Sequence, residues 1–229
     1  MIKSLPERLL AVIPWLAQDD FVADIGSDHG YLAIYLAHHQ CVKGIYAVEN
    51  KHGPFSRLKR NIREAGYEEV IQIALADGLE NLPPQVNTLI LTGLGGELIY
   101  QIFTREKEKL SQIKKIIVAP QSHLAFLRKR LCEFNFKITH ETIIYEGGHY
   151  YPLLVLAPGQ EELSEMECEF GPLLLKARLA LFLAMLEEEK LRKVRLLEEK
   201  SLPLNRRKIL QQEIEKLDNI LRNEVHLDD

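Results

Sequence analysis

Three carboxylates stand where three successive apolar runs stop. Asp24 closes Phe21-Val22-Ala23-Asp24, Glu49 follows Val42–Val48, and Asp77 follows Val70–Leu75 within Ala76-Asp77-Gly78-Leu79. Acidic residues at strand ends along one sheet edge can hold a nucleoside-like ligand. Glu49 is placed to accept both ribose hydroxyls, Asp77 an exocyclic amine, and Asp24 the charged end of the ligand. Each has a plainer reading as a turn residue or a helix cap. Three at consecutive strand ends coincide by chance far less often than one.

The loop after Asp24 narrows the ligand class. Gly26-Ser27-Asp28-His29-Gly30 lets backbone come close to whatever sits above the sheet, but it lacks the full G-x-G-x-x-G of a pyrophosphate binder. It also carries Asp28 and His29 where a phosphate would want bare N–H groups. A cofactor with a cation and an amine suits it better, which points to S-adenosylmethionine bound by Asp24, Gly26, Ser27, Glu49, Asp77, Gly78 and Gly93. The fourth run, Val86–Leu91, ends in Thr92-Gly93-Leu94-Gly95-Gly96. Its glycines would allow a flat base to approach the sulfonium methyl, with Gln121 after the fifth run on the same edge. There is no N-P-P-Y or D-P-P-Y for methylating an adenine amino group, and no Pro-Cys nucleophile for cytosine C5.

The elements that must position these groups alternate. Ser4 and Glu7 have the spacing of a capping box and predict a helix to about Ala17. Runs at Phe21–Ile25, Val42–Val48, Val70–Leu75, Val86–Leu91 and Lys115–Ala119 alternate with helical periodicity, as at Pro54–Ala65 and His123–Cys132. This pattern implies a parallel, doubly wound α/β sheet. Phe136–Tyr145 and Tyr150–Leu156, separated by Glu146-Gly147-Gly148-His149, read as a terminal antiparallel hairpin. Seven strands ending in that hairpin are what a Rossmann-like class I methyltransferase sheet has. A dinucleotide-dependent dehydrogenase would continue with another parallel strand.

Ala157-Pro158-Gly159 reads as the boundary between a cofactor-binding domain, 1–158, and a helical domain, 159–229. A helix is predicted from Pro172 to Lys200, apolar nearly all round over Leu173–Leu186, with Leu191, Val194 and Leu197 continuing a stripe. Ser201-Leu202-Pro203-Leu204-Asn205 turns the chain. A second helix carries Leu210, Ile214, Leu217 and Leu221 at heptad spacing, giving a coiled-coil hairpin. Residues 1–158 carry 17 Lys/Arg and 17 Asp/Glu, while 159–229 carry 12 and 16, so neither part binds nucleic acid by bulk charge. Lys190, Lys193, Arg206, Arg207 and Lys208 nonetheless flank the turn and offer a local patch for RNA phosphates. The alternative is a solvated helix face. Three scattered cysteines suggest neither a disulfide framework nor a zinc site, so no metal is expected. With no run of about 18 apolar residues and no signal-like start, a cytoplasmic location without membrane contact is expected.

Together these motifs resemble the bacterial tRNA adenine-N1-methyltransferases that modify position 22, over nearly the whole length. The resemblance rests on Asp24-Ile25-Gly26-Ser27-Asp28-His29, Glu49 with Gly53-Pro54-Phe55, Gly78-Leu79, Gly93-Leu94-Gly95-Gly96, Pro120-Gln121 and Phe170-Gly171-Pro172. It implies transfer of the sulfonium methyl to N1 of a tRNA adenine that has been flipped out of pairing. Asp28 would then offset the cationic product, and backbone carbonyls of Thr92 and Gly93 would hold the amino group. His29 would relay a proton or fix the loop, Tyr31 would stack on the base or pack, and Gly95, Gly96 and Gln121 would face the substrate. The partner is tRNA. A monomer is expected, with dimerisation through the helical hairpin as the alternative. A methyltransferase acting on another RNA, a small molecule or a protein fits the cofactor motifs equally well.

Overall fold

Apolar runs of about five residues, too short for buried helices and rich in β-branched side chains, form the strands. In this computed structural model, which describes residues 5–199 and 201–223, they are β1 (Phe21–Ile25), β2 (Gly44–Glu49), β3 (Ile71–Leu75), β4 (Thr88–Thr92) and β5 (Lys115–Ala119). Two longer strands follow, β6 (Phe136–Glu146) and β7 (His149–Pro158). The sheet order is β3-β2-β1-β4-β5-β7-β6, parallel through β5, with β7 antiparallel to both of its neighbours. Gly147 and Gly148, both at positive φ (58° and 82°), make the two-residue turn of the β6–β7 hairpin. The strand sequence changes direction between β1 and β4. At such a switch point the loops leaving the carboxyl ends part and leave a crevice.

Residues of β1, β2, β4 and β5 are buried on both sides because helices cover both faces. These are α1 (Glu7–Leu10), α2 (Tyr31–His38), α3 (His52–Ala65), α4 (Gly96–Arg105) and α5 (Leu124–Arg130). The close approach of α2 and α3 is set by Gly30. It sits at φ 72°, and a Cβ there would lie 2.5 Å from Leu58 Cδ1.

Several predicted bounds change. α1 is one turn capped by Pro6, and a short 3₁₀ turn, Ile13–Trp15, replaces its expected continuation to Ala17. Pro14 has no N–H to sustain the α-helix. Ser4, the expected cap, lies outside the described residues. β4 starts at Thr88 rather than Val86, because Val86 N–H closes a turn onto Pro83 and Asn87 Oδ1 accepts from Phe21 N–H at 3.1 Å.

The largest difference lies beyond Gly159. A short helix, α6 (Glu165–Phe170), opens with a capping box made by Ser164 and Glu167. Arg128 Nη1 donates to the carbonyls of Cys168 and Glu169 at 3.1 and 3.2 Å, while its Nε donates to Glu141 at 2.9 Å. Both side chains of that ion pair are buried. Burial lowers the guanidinium pKa, and Glu141 opposes the shift. A Cβ on Gly171 would come within 2.6 Å of Glu141 and 2.8 Å of Arg128, so only glycine passes the pair. Two compact units result, residues 1–172 and 173–229. Residues 159–172 thus group with the sheet instead of with the helices.

In the second unit the predicted long helix is interrupted. α7 (Pro172–Ala177) begins at the boundary, Arg178 takes φ 49°, and α8 runs Ala180–Leu197 before α9, Leu204–Arg222. Arg178 donates to the last carbonyls of α9, Ile220 and Leu221, at 2.7 and 2.9 Å, which holds the break. Phe182, Leu186, Leu210, Leu217 and Ile220 are buried. Ile220 therefore takes the seam position expected of Leu221, and Leu191, 55% exposed, does not join the stripe. Leu179 and Leu181 are exposed too, so the run Leu173–Leu186 is not buried all round. Lys200 lies outside the described residues.

Replacing Arg128 by Met would leave Glu141 buried without its cation, with an expected loss of about 3–5 kcal/mol. Chemical denaturation checks this. Arg128→Met should unfold at markedly lower denaturant, and adding Glu141→Leu should recover much of the loss. A single variant within 1 kcal/mol of wild type would show that the pair does not anchor α6.

Candidate active site

The carboxyl ends of β1, β4 and β5 open into a cleft of about 390 Å³ lined by Asp24, Gly26, Ser27, Asp28, His29, Tyr31, Thr92, Gly93 and Gln121, among others. Asp24 forms its floor. It lies on the central strand, 3% exposed, and Ser27 Oγ donates to its Oδ2 at 2.7 Å. Burial pushes its carboxyl up to about 6, and the Ser27 hydrogen bond pulls the other way. The loop above is held open by backbone. Gly26 and Ser27 N–H both donate to Val48 O at 2.9 Å, and Gly26 takes φ 76°.

Asp28 also adopts a positive φ, 46°, and its N–H reaches Glu49 Oε2 at 3.3 Å. Its carboxylate faces His29 Nε2 at 3.4 Å and Arg57 at 3.5 Å. Asn61 of α3 donates to His29 O at 2.9 Å, and the His29 and Tyr31 rings lie nearly parallel, 5.3 Å apart. The loop thus presents a carboxylate and an aromatic stack on one side of the cleft.

A second cavity, about 200 Å³, adjoins the first through the shared residues Gly26 and Leu94. Glu49, Asn50, Lys51, Asp77, Gly78, Leu98 and Ile102 line it. Glu49 is buried and pinned, Oε1 accepting from the N–H groups of Asn50 (3.1 Å) and Lys51 (3.0 Å). Oε2, which also takes the Asp28 N–H at 3.3 Å, keeps acceptor capacity for a hydroxyl donor. Asp77 is engaged by Arg105, whose hydrogen bond is the chief reason its pKa is lowered, and by Asn50 Nδ2 at 3.3 Å. Gly78 closes against α4, where a Cβ would lie 2.9 Å from Ile102.

The glycines after β4 divide. Gly93, at φ 77°, lines the cleft. Gly95 and Gly96 do not. They let the β4–α4 loop pack on the β5–α5 loop, because a Cβ would lie 3.0 Å from Ser122 Oγ at Gly95 and 2.4 Å from His123 O at Gly96. Gly96 N–H to Ser122 O (2.8 Å) and Gln121 N–H to Leu94 O (2.9 Å) tie the loops together. Gln121, expected beside them, does line the cleft.

The second unit does not gather its five basic residues. Lys190 pairs with Asp218 and Lys193 with Glu213 at 2.7 Å across α8 and α9, and Lys193 also pairs with Glu189 at 3.0 Å within α8. Arg207 donates to the carbonyls of Leu197 and Glu199, capping α8. Arg206 and Lys208 remain exposed at the start of α9.

Sequence reasoning missed the opposite wall of the cleft, made by Pro6, Arg8, Leu9 and Tyr151. Arg8 pairs with Glu146 and lies over the Tyr151 ring, 5.4 Å from its centroid. No local spacing links residues 8, 146 and 151. Among the described residues no cluster of His, Cys, Asp or Glu could hold a metal ion, and no helix is long and apolar enough to cross a membrane.

A 3-2-1-4-5-7-6 sheet with a buried strand-end carboxylate at its switch point defines a class I methyltransferase. The sequence profile of the tRNA (adenine(22)-N(1))-methyltransferase family matches residues 22–225, and the chain belongs to that family. A Bacillus subtilis tRNA (adenine(22)-N(1))-methyltransferase is 30% identical over 193 residues, 81% of each chain. A Streptococcus pneumoniae candidate tRNA (m1A22) methyltransferase, solved with S-adenosyl-L-methionine, superposes with a TM-score of 0.86. It is 32% identical, over 96% of this chain and 100% of its own. The M. capricolum enzyme of this family, solved with S-adenosyl-homocysteine, gives 0.82 at 26% identity, covering 97% and 99%.

The raised Asp24 pKa has a stability consequence. Between the unfolded value of 3.8 and the folded value of about 6 the native state holds the extra proton, so stability falls as pH rises through that window. Above it the full cost, at most about 3 kcal/mol, persists. Asp24→Asn should therefore stabilise the ligand-free protein at pH 7.5 and make no difference near pH 3.5. Thermal unfolding at the two pH values decides it, and an equal effect at both would show that Asp24 ionises without strain.

Proposed function

We propose that this cleft transfers the methyl group of S-adenosylmethionine to N1 of adenine 22 in tRNA, and that the residues around Asp24 and Glu49 hold the cofactor. The observation carrying this reading is the desolvated Asp24 carboxylate at the floor of a cleft that a second, Glu49-lined cavity adjoins. A buried anion in an open cleft asks for a cation, and the second cavity offers buried Glu49 to ribose hydroxyls. When bound, the cofactor supplies an electrophilic methyl on a sulfonium sulfur. N1 of adenine already carries a lone pair, so no proton has to leave before attack, and the chain's task is alignment. Positioning of this kind is worth up to about 7–11 kcal/mol.

Asp28 lies beside the cleft and supplies negative charge where the methylated adenine becomes cationic. The carbonyls of Thr92 and Gly93 are suited to the amino group, and Gln121 to the base edge. The parallel His29–Tyr31 rings offer the base a stacking face, with His29 chiefly fixing the loop through Asp28. Asp77 serves the adenine end of the cofactor through whatever acceptor capacity Arg105 and Asn50 leave. The α8–α9 pair docks tRNA through Arg206 and Lys208, since the charges of Lys190 and Lys193 are already matched by acids. One copy suffices, because α8 and α9 bury their seam against each other, and the cytoplasm supplies the substrate.

Methyl incorporation into a tRNA transcript tests the reaction. One methyl per transcript is expected with adenosine at position 22 and none with guanosine there. Equal incorporation into both would exclude that target. The docking arm has its own test. Reversing Arg206 and Lys208 to Glu should weaken tRNA binding and reduce the slope of log affinity against log salt by about 0.9 per lost contact. An unaltered slope would make this end of α9 a solvated surface.

A further inference from the structure

The β5–α5 loop and the β6–β7 hairpin flank a third, open cavity of about 470 Å³ to which the methyl-transfer reaction assigns no role. Gln121 and Tyr151 line both this cavity and the catalytic cleft, so the two are neighbours across a shared wall. The rest of its lining is Pro120, Ser122, His123 and Leu124 on one side and His149, Tyr150 and Pro152 on the other. No Lys, Arg, Asp or Glu is among them, which argues against a phosphate or an amine as the occupant. Flat rings beside hydroxyl, amide and imidazole groups suit an uncharged planar ligand with hydrogen-bonding edges, which is a nucleobase.

The walls are preset. His123 takes φ 54°, a conformation rare for a side chain-bearing residue, and is held there by the paired loops: Gly96 N–H donates to the carbonyl beside it, Ser122 O. Its ring contacts Ser122 Oγ at 3.2 Å and faces Glu97 at 3.7 Å. Opposite, the His149 and Tyr151 rings meet edge to face, 6.5 Å apart, and Tyr150 leans on Tyr145 at 4.8 Å. The tight Gly147-Gly148 turn fixes the hairpin tip that carries them.

We propose that this cavity is a second base subsite, which takes the nucleotide next to the methylated adenosine on the same RNA. The inference rests on the tRNA methyltransferase reading and adds a binding site to it. Drawing an adenine out of its stack strips its neighbour of a stacking partner. A cavity sharing Gln121 and Tyr151 with the catalytic cleft gives that neighbour a new aromatic face, at His149 and Tyr151, and polar edges at Ser122 and His123. Base–aromatic stacking tolerates any base, so the subsite would reward an unstacked neighbour more than a particular sequence.

The test uses the full-length protein and three transcripts: intact, abasic on the 5′ side of the target, and abasic on the 3′ side. For wild type, one abasic transcript should show KM raised roughly ten-fold, with kcat little changed. His149→Ala should raise KM on the intact transcript by a similar factor without altering S-adenosylmethionine affinity, and should add nothing on that abasic transcript. His149→Phe, which keeps a ring, should restore KM. Wild type indifferent to both abasic positions would overturn the subsite while leaving the reaction intact. So would an Ala variant whose penalty multiplies with the abasic one. No methylation of the intact transcript by a wild type that binds the cofactor would remove the tRNA reading itself, and the subsite with it.

Discussion

A carboxylate taken out of water at the middle of the sheet is the constraint to which the rest of the site answers. Asp24 pairs in register with Ala47 on one side and Ile90 on the other, so it cannot turn toward solvent without breaking β1. Among the described residues its one compensating side-chain bond comes from Ser27. A buried anion with a pKa of about 6 is still mostly ionised at neutral pH, at a standing cost to folding. A cation seated against it converts that cost into ligand affinity, as the fold's cofactor chemistry requires.

The other features follow from keeping the space above Asp24 open yet fixed. Gly26 and Ser27 satisfy their N–H groups on Val48, which leaves no polar backbone stranded as the loop arches. Asp28 N–H ties that loop to Glu49, so the two cavities are shaped by one hydrogen-bonded network. On the far side, Gly95 and Gly96 bring the loops after β4 and β5 into backbone contact, and Gln121 emerges from that contact into the cleft. The Arg128–Glu141 pair does for the back of the sheet what these loops do for its edge. It fastens α6 to β6 through a buried charge that only Gly171 can pass.

Strand ends proved legible in the sequence because apolar runs of five residues closed by Asp, Glu or Gly have few other readings. The alternation and the terminal hairpin then set the topology. What escaped were contacts between residues far apart in sequence. Gly95 and Gly96 look like access glycines locally, and only the neighbouring loop shows that Ser122 and His123 fill the space. Lys190 and Lys193 look like a basic patch until Asp218 and Glu213 arrive from the next helix. Arg8 and Tyr151 sit about 140 positions apart and meet because β6–β7 returns past the N-terminal turn. The break at Arg178 was hidden for the same reason, its cause being carbonyls at the end of α9.

The claim that the buried Asp24 anion is the counter-charge for the cofactor is tested most directly by calorimetric affinity for S-adenosylmethionine as a function of pH. Affinity should be level above about pH 7 and fall toward tenfold per unit below about pH 6, as the carboxyl takes up a proton. In Asp24→Asn that dependence should be absent and affinity at pH 7.5 reduced roughly ten- to hundred-fold. A wild-type profile flat from pH 7.5 to 5, with Asn binding as well as Asp, would contradict the account.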